Sequence, residues 1–215
     1  MQDLNSASRV TSRRTALFIV FEGIDGSGKS TQAHMLFSWM KENGVPVILT
    51  AEPSDGPIGR KIRALKTRPS PEKEAELFTQ DRFDHLERTI LPALKSWNTV
   101  ICDRYVHSSV AYQGARGIDV QEIVDQNNRF AIKPDSVFLL EVPVDMALSR
   151  IALGRGSEFS AFEGREQLEK VASIYGSLED PIIVRLDGTG RPEQVHKKIV
   201  QYVRKLRSEW ELLKE

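Results

Sequence analysis

Nine consecutive residues, Gly23-Ile24-Asp25-Gly26-Ser27-Gly28-Lys29-Ser30-Thr31, place a glycine, four further residues and then Gly-Lys-Ser in a row. Each member has a task toward a polyphosphate. The glycines let the backbone curl until several N–H groups converge on one anion. Lys29 adds a mobile cation, and Ser30 offers a hydroxyl to Mg²⁺. The apolar run Ala16–Phe21 precedes the loop and an amphipathic stretch follows it. The order is therefore strand, turn, helix, and the positive end of the helix points at the same spot. The chemistry is that of a nucleoside triphosphate site.

A second chemical signal lies in Thr99-Val100-Ile101-Cys102-Asp103-Arg104-Tyr105. An apolar strand that ends in Asp supplies a carboxylate near Mg²⁺ in phosphate-loop enzymes. Standing alone, Asp103 would read more readily as a helix cap or turn residue. Beside a phosphate loop that opens on the same edge, the metal reading gains weight. Arg104 follows directly and could grip a second phosphate group as a planar fork.

The elements that must position these groups alternate along the chain. Strands are expected at 16–22, 45–50, 99–103, 137–142 and 181–187, and helices at 30–43, 58–66, 72–91, 120–131, 144–152, 165–178 and 192–207. The strands are short continuous apolar runs, as in a parallel sheet buried on both faces. Ala33, Leu36, Phe37 and Met40 recur at helical spacing, as do Val195, Ile199, Val203 and Leu206. The expected fold is α/β: a doubly wound, five-stranded parallel sheet of the phosphate-loop type with helices on both faces. In such folds ligands gather at the carboxyl ends of the strands. One domain is expected over 16–208, with a glycine-punctuated lid at 154–164, a disordered tail at 1–15 and a short tail at 209–215.

Bulk properties narrow the classes further. Thirty Lys and Arg balance thirty Asp and Glu in 215 residues, which argues against broad nucleic-acid or membrane binding by charge. The single cysteine, Cys102, leaves no intramolecular disulfide and fits a reducing cytoplasm. No apolar run exceeds strand length. Residues 1–15 are basic and serine-rich but lack the apolar middle of a secretion signal. The four histidines have no metal-ligand spacing, and Trp39, Trp97 and Trp210 read as packing.

Four blocks together resemble the thymidylate kinase family: Phe21–Gln32 (FEGIDGSGKSTQ), Leu77–His85 (LFTQDRFDH), Asp103–Tyr105 (DRY) and Ser108–Gly114 (SSVAYQG). The resemblance runs from the first strand to the last helix. The stretch Glu52–Gly59 is most similar to archaeal members. The resemblance implies transfer of the γ-phosphoryl group of ATP to dTMP with Mg²⁺, in a cytoplasmic homodimer that needs neither nucleic acid nor membrane.

The resemblance assigns roles residue by residue. Gly23 to Thr31 would hold the phosphates of ATP, with Lys29, Asp103, Arg104 and Arg155 catalytic, and Ser30 and Asp103 at Mg²⁺, partly through water. Asp25 would reach the 3′-hydroxyl of dTMP. Phe78 would stack on thymine and Arg82 would hydrogen-bond it. Helical spacing alone favours Phe78 as core and Arg82 as a solvated charge; the resemblance reverses that. Arg63 and Arg104 would grip the acceptor phosphate, Ser109 and Gln113 would line the thymine edge, and Tyr112 would crowd the ribose 2′ position. Glu52 joins this substrate set. Arg155, with Arg150 as a second candidate, would be the lid arginine that reaches the transferring phosphate.

The chain departs from the family pattern at Ala51, where many members carry Arg, and at Ser160-Ala161, where many lids carry Asp-Arg. The lid is therefore poor in cations. Two alternatives stay open: a kinase for another pyrimidine monophosphate or a deoxynucleoside, and a weakly active nucleotide-binding regulatory homologue.

Overall fold

The computed structural model describes residues 16–155 and 161–212, with the side chains of 154–163 and 209–212 excepted. The elements run β1 (Phe18–Glu22), α1 (Lys29–Glu42), β2 (Val47–Ala51), α2 (Pro57–Arg63), α3 (Pro71–His85), a π-helical turn (Leu86–Ile90), α4 (Leu91–Lys95), β3 (Thr99–Asp103), α5 (Val106–Gly114), α6 (Val120–Asn128), β4 (Ser136–Glu141), α7 (Val144–Arg155), α8 (Ala161–Ser177), β5 (Ile183–Asp187) and α9 (Pro192–Leu212). The sheet has five strands, all parallel, in the order β2-β3-β1-β4-β5.

Burial on both faces accounts for the apolar runs. Leu17, Ile19 and Phe21 pack with Leu36 and Met40 of α1 and with Val195, Ile199 and Val203 of α9. Phe18 and Val20 pack on the opposite face with Leu86, Ile90, Val100, Tyr105 and Val137. Alternate β1 residues thus feed two cores, and neither side can be polar. A third cluster joins Ile24, Ala111 and Leu139 to Ala147, Leu168, Val171 and Tyr175 of α7 and α8.

Register places the chemistry. Asp103, the last residue of β3, pairs with Phe21 of β1 and with Ala51 of β2. The loops leaving these three strands therefore start at one level. Because β1 is flanked by β3 and β4, the order reverses direction at β1, and a crevice opens there.

The structure departs from the sequence reading in four places. Helix α5 lies where only a motif was read. The long helix expected to stop at Leu91 continues to Lys95 through the π-helical turn. Pro92 has no N–H to offer the carbonyl one turn back, and the wider turn absorbs that loss. Helix α9 runs to Leu212, into the stretch expected as tail. Helices α7 and α8 enter the expected lid from both ends, reaching Arg155 and starting at Ala161. Its middle, 156–160, and the expected tail 1–15 lie outside the described residues.

Candidate active site

The loop after β1 adopts the conformation its glycines permit: Gly23, Gly26 and Gly28 have φ of 140°, 79° and 96°. Gly26 is required twice over. A Cβ there would sit 2.4 Å from the carbonyl oxygen of Ala147 on α7, and a side chain is strained at that φ. Helix α1 begins at Lys29, so its unpaired N–H groups face the loop.

Lys29 is 5% exposed. Its ammonium donates to Ile24 O at 3.3 Å and lies 3.6 Å from Asp25 Oδ1. Burial lowers its pKa to about 8; the Arg104 cation acts in the same direction, while Asp25, Asp103 and Glu22 oppose it. The Ser30 hydroxyl donates to Asp103 Oδ2. Among the described residues the other oxygen, Oδ1, is buried and has no hydrogen-bond partner. A hydroxyl and a carboxylate with an unused oxygen, beside a phosphate nest, fit the sparse protein share that Mg²⁺ takes when phosphates supply the rest.

A cavity of about 770 Å³ opens beside this loop. Asp25 and Arg104 stand in its wall, and so do Phe78, Ser109, Tyr112 and Gln113. These six residues come from the loop after β1, from α3, from the end of β3 and from α5, and sequence reading had placed all of them at one substrate. Apolar groups complete the wall, including Ile62, Leu65, Leu77 and Leu168.

Arg104 is a non-glycine residue at φ 73°, a conformation that persists only where its surroundings enforce it. Its N–H donates to Phe21 O at 2.9 Å, and the next N–H, of Tyr105, donates to Glu22 Oε1 at 2.8 Å. The bend turns the guanidinium onto Asp25, to which Nη2 donates, and over the Tyr112 ring at 4.9 Å. Burial opposes the Arg104 cation, but the Tyr112 hydroxyl and the Asp25 carboxylate outweigh it and hold its pKa above the usual arginine value. The Tyr112 hydroxyl also accepts the Asp25 N–H at 2.9 Å.

Four expected residues sit elsewhere or act otherwise. Arg82 is 1% exposed and does not line the cavity. Its guanidinium donates to Glu52 Oε2 from Nε and Nη2 (2.9 and 2.7 Å), to Asn127 Oδ1, to Tyr105 O and to Ser109 Oγ. Glu52 is 4% exposed and is consumed by Arg82 and His85. The pair therefore braces the wall from behind, because an arginine buried among acceptors has no reach left for a base. Arg63 does not line the cavity and donates to Pro53 O and to Asp55 Oδ1, the latter at 2.9 Å. Arg150 faces inward: Nη1 donates to Gly26 O and Ser27 O at 3.3 and 3.4 Å, and Nη2 to Gly188 O at 3.0 Å. It ties the phosphate loop to the turn after β5 rather than reaching toward a phosphate. The side chain of Arg155 lies outside the described residues.

Other residues at the site escaped sequence reading. Glu22, 1% exposed, accepts the Tyr105 and Ser108 N–H groups and the hydroxyls of Ser108 and Tyr175. A charged residue closing a buried strand was a usable signal. Its partner Tyr175 is 153 residues away, and no local pattern announces that. Asp81 accepts both the Ser54 N–H and its hydroxyl (2.7 and 2.6 Å), fastening the loop after β2 to α3.

Comparison with known proteins converges on the same chemistry. A family model described as thymidylate kinase matches residues 21–199. A thymidylate kinase of Desulfotalea psychrophila is 44% identical over 191 residues, spanning 87% of this chain and 94% of its own. Two proteins described as probable thymidylate kinases, from Thermococcus kodakarensis and Thermococcus onnurineus, are 40% and 42% identical and align over 90% and 92% of this chain and 100% of their own. With the phosphate loop, the Asp103–Arg104 bend and the cavity between them, a match of this extent is decisive: the chain belongs to the thymidylate kinase family.

Proposed function

We propose that the chain transfers the γ-phosphoryl group of ATP to dTMP, giving ADP and dTDP. The observation that carries this reading is the convergence of Phe78, Ser109, Tyr112 and Gln113 with Arg104 and Asp25 in one cavity, against the phosphate loop. An aromatic face, amide and hydroxyl groups and a guanidinium are what a nucleobase, a sugar and a phosphate need in that sequence. Phe78 lies against the base, Tyr112 occupies the space a ribose 2′-hydroxyl would need, and Arg104 receives the acceptor phosphate.

Two anions must meet end to end, so the protein's part is placement and charge compensation. Lys29 and the α1 N-terminus hold the donor phosphates. Ser30 and Asp103 would hold Mg²⁺, which supplies charge neutralisation on those phosphates when bound. Arg155, at the end of α7, is the candidate to meet the transferring group from the lid. The Ser30 hydroxyl donates to Asp103 Oδ2, which keeps the two groups that would hold the metal side by side.

ADP release measured across a panel of nucleoside monophosphates tests the assignment. Highest kcat/KM is expected for dTMP, and best use of dGMP or dCMP would overturn it. The same reading makes the enzyme a cytoplasmic homodimer. No helix among the described residues is long and apolar enough to cross a membrane, and the half-exposed Phe83, edge-on to Phe130 at 5.5 Å, is an apolar surface that a second copy would cover. Sedimentation of the purified chain as a monomer would remove the dimer.

A further inference from the structure

Beside Gln113, and itself in the cavity wall, stands a carboxylate with three side-chain partners. Glu74, on the first turn of α3, has a side chain 8% exposed. Arg68 donates from Nε to Oε2 at 2.7 Å and from Nη2 to Oε1 at 2.9 Å, and Arg116 also donates to Oε2. Gln113 Nε2 donates to Glu74 Oε1 at 3.2 Å. Burial pushes the Glu74 carboxyl up, but the hydrogen bonds and charge of Arg68, together with Arg116, outweigh it and leave the pKa below the usual carboxylate value.

An ionised carboxylate accepts hydrogen bonds and donates none. The Gln113 amide must therefore turn its NH₂ toward Glu74. Its oxygen, Oε1, is left on the other side, and among the described residues that atom is buried with no hydrogen-bond partner. Gln113 is 2% exposed and stands in the cavity wall. A buried acceptor without a donor is unfavourable until a ligand brings one. Flipping the amide would set Oε1 against the carboxylate, so the protein cannot exchange acceptor for donor at this position.

We propose that Glu74 is a specificity-determining positioning residue: through Gln113 it fixes a hydrogen-bond acceptor in the cavity wall, and so selects pyrimidines whose ring carries an N–H over those whose ring nitrogen is itself an acceptor. Thymine and uracil belong to the first class and cytosine to the second. The inference rests on the assignment of the cavity to a pyrimidine monophosphate. Arg68 and Arg116 act on it indirectly by keeping Glu74 charged. Arg116 also donates to Pro69 O at 3.0 Å, which anchors the loop before α3 to the same cluster.

The test compares kcat/KM for dTMP and for dCMP in the wild type, in Glu74→Gln and in Glu74→Asp. Glu74→Gln can present either an acceptor or a donor to Gln113, and the dTMP-to-dCMP ratio is expected to fall about tenfold or more. Glu74→Asp keeps an acceptor-only group and should stay within about threefold of the wild-type ratio. A structural role would lower both substrates together, so a folded Glu74→Gln enzyme with an unchanged ratio overturns the inference. Should that variant fail to fold, a crystal structure of the wild type with dTMP decides: a ring N–H nitrogen more than about 3.5 Å from Gln113 Oε1 overturns it. Wild-type enzyme inactive on dTMP would remove the assignment beneath it, and that result is visible before any variant is assayed.

Discussion

The Asp25 carboxylate and the Arg104 guanidinium are joined by a hydrogen-bonded ion pair in the cavity wall, one from the phosphate loop and the other from the bend after β3. The pair links the part of the site that would hold ATP to the part that would hold the acceptor. Asp25 is also 3.6 Å from the Lys29 ammonium, so one carboxylate lies between two cations. An arriving acceptor phosphate would compete with Asp25 for Arg104, and release Asp25 toward the sugar hydroxyl that the family resemblance assigns to it.

Arg104→Ala should therefore weaken dTMP far more than ATP. Truncating one partner of a buried charge-assisted contact commonly lowers affinity by about 30-fold or more. The dissociation constant for a non-hydrolysable ATP analogue should move by no more than about threefold, because that ligand's phosphates are held by Lys29 and backbone N–H groups. Calorimetric titration with each ligand measures both. Equal losses would contradict the division of labour.

Lys29 should give the enzyme an alkaline limit. Its folded pKa of about 8 lies below the ordinary value of 10.5, so the free enzyme loses the ammonium as pH rises through about 8. kcat/KM for ATP should fall there, whereas kcat should hold to higher pH, since bound phosphates favour the charged form. Stability runs the other way. Between about 8 and 10.5 the unfolded chain binds more protons at this site than the folded one, so this group's contribution to stability increases with pH across that window. At pH 7, Lys29→Met should be inactive yet melt no lower than the wild type. A large fall in melting temperature would contradict the burial argument.

The phosphate loop, the five strands and the docking faces of α1 and α9 were legible because each rests on local pattern. Gly23 to Thr31 is a contiguous motif, and Val195, Ile199 and Val203 repeat at the helical period. Helix α5 was not read as a helix because Ser108, Ser109, Val110, Ala111 and Gln113 are all buried, which leaves no polar stripe to reveal a period. Arg82, to which the resemblance gives a base contact, has its donors engaged elsewhere in the fold. Its partners Glu52 and Asn127 lie 30 and 45 residues away, and spacing within α3 carries no information about them. Arg63 and Arg150 received phosphate-binding roles from the family resemblance, whereas nearby carbonyls and Asp55 occupy them in the fold.

Arg82→Ala is expected to unfold the protein more readily rather than to alter base choice alone. The substitution leaves Glu52 buried without its cation and removes donors from Ser109 and Tyr105 O. Breaking a buried ion pair from one side costs about 3–5 kcal/mol. Denaturant unfolding without nucleotide measures it. A ligand-free stability equal to the wild type, with dTMP binding lost, would return Arg82 to the base-contacting role that sequence reading gave it.

Gly26 is a position in the phosphate loop where the fold admits no side chain. Its φ of 79° and the 2.4 Å approach of a Cβ to Ala147 O leave no space for any side chain while α7 keeps its place. Gly26→Ala should lower stability by about 1–3 kcal/mol and raise KM for ATP, because α7 must shift and Arg150 with it. Gly44→Ala serves as the control. It also replaces a glycine of positive φ, 70°, but a Cβ there meets nothing within 4 Å. Gly44→Ala should lose stability from backbone strain alone and keep its KM for ATP. If both variants bind ATP like the wild type, the contact between the phosphate loop and α7 does not shape the donor site.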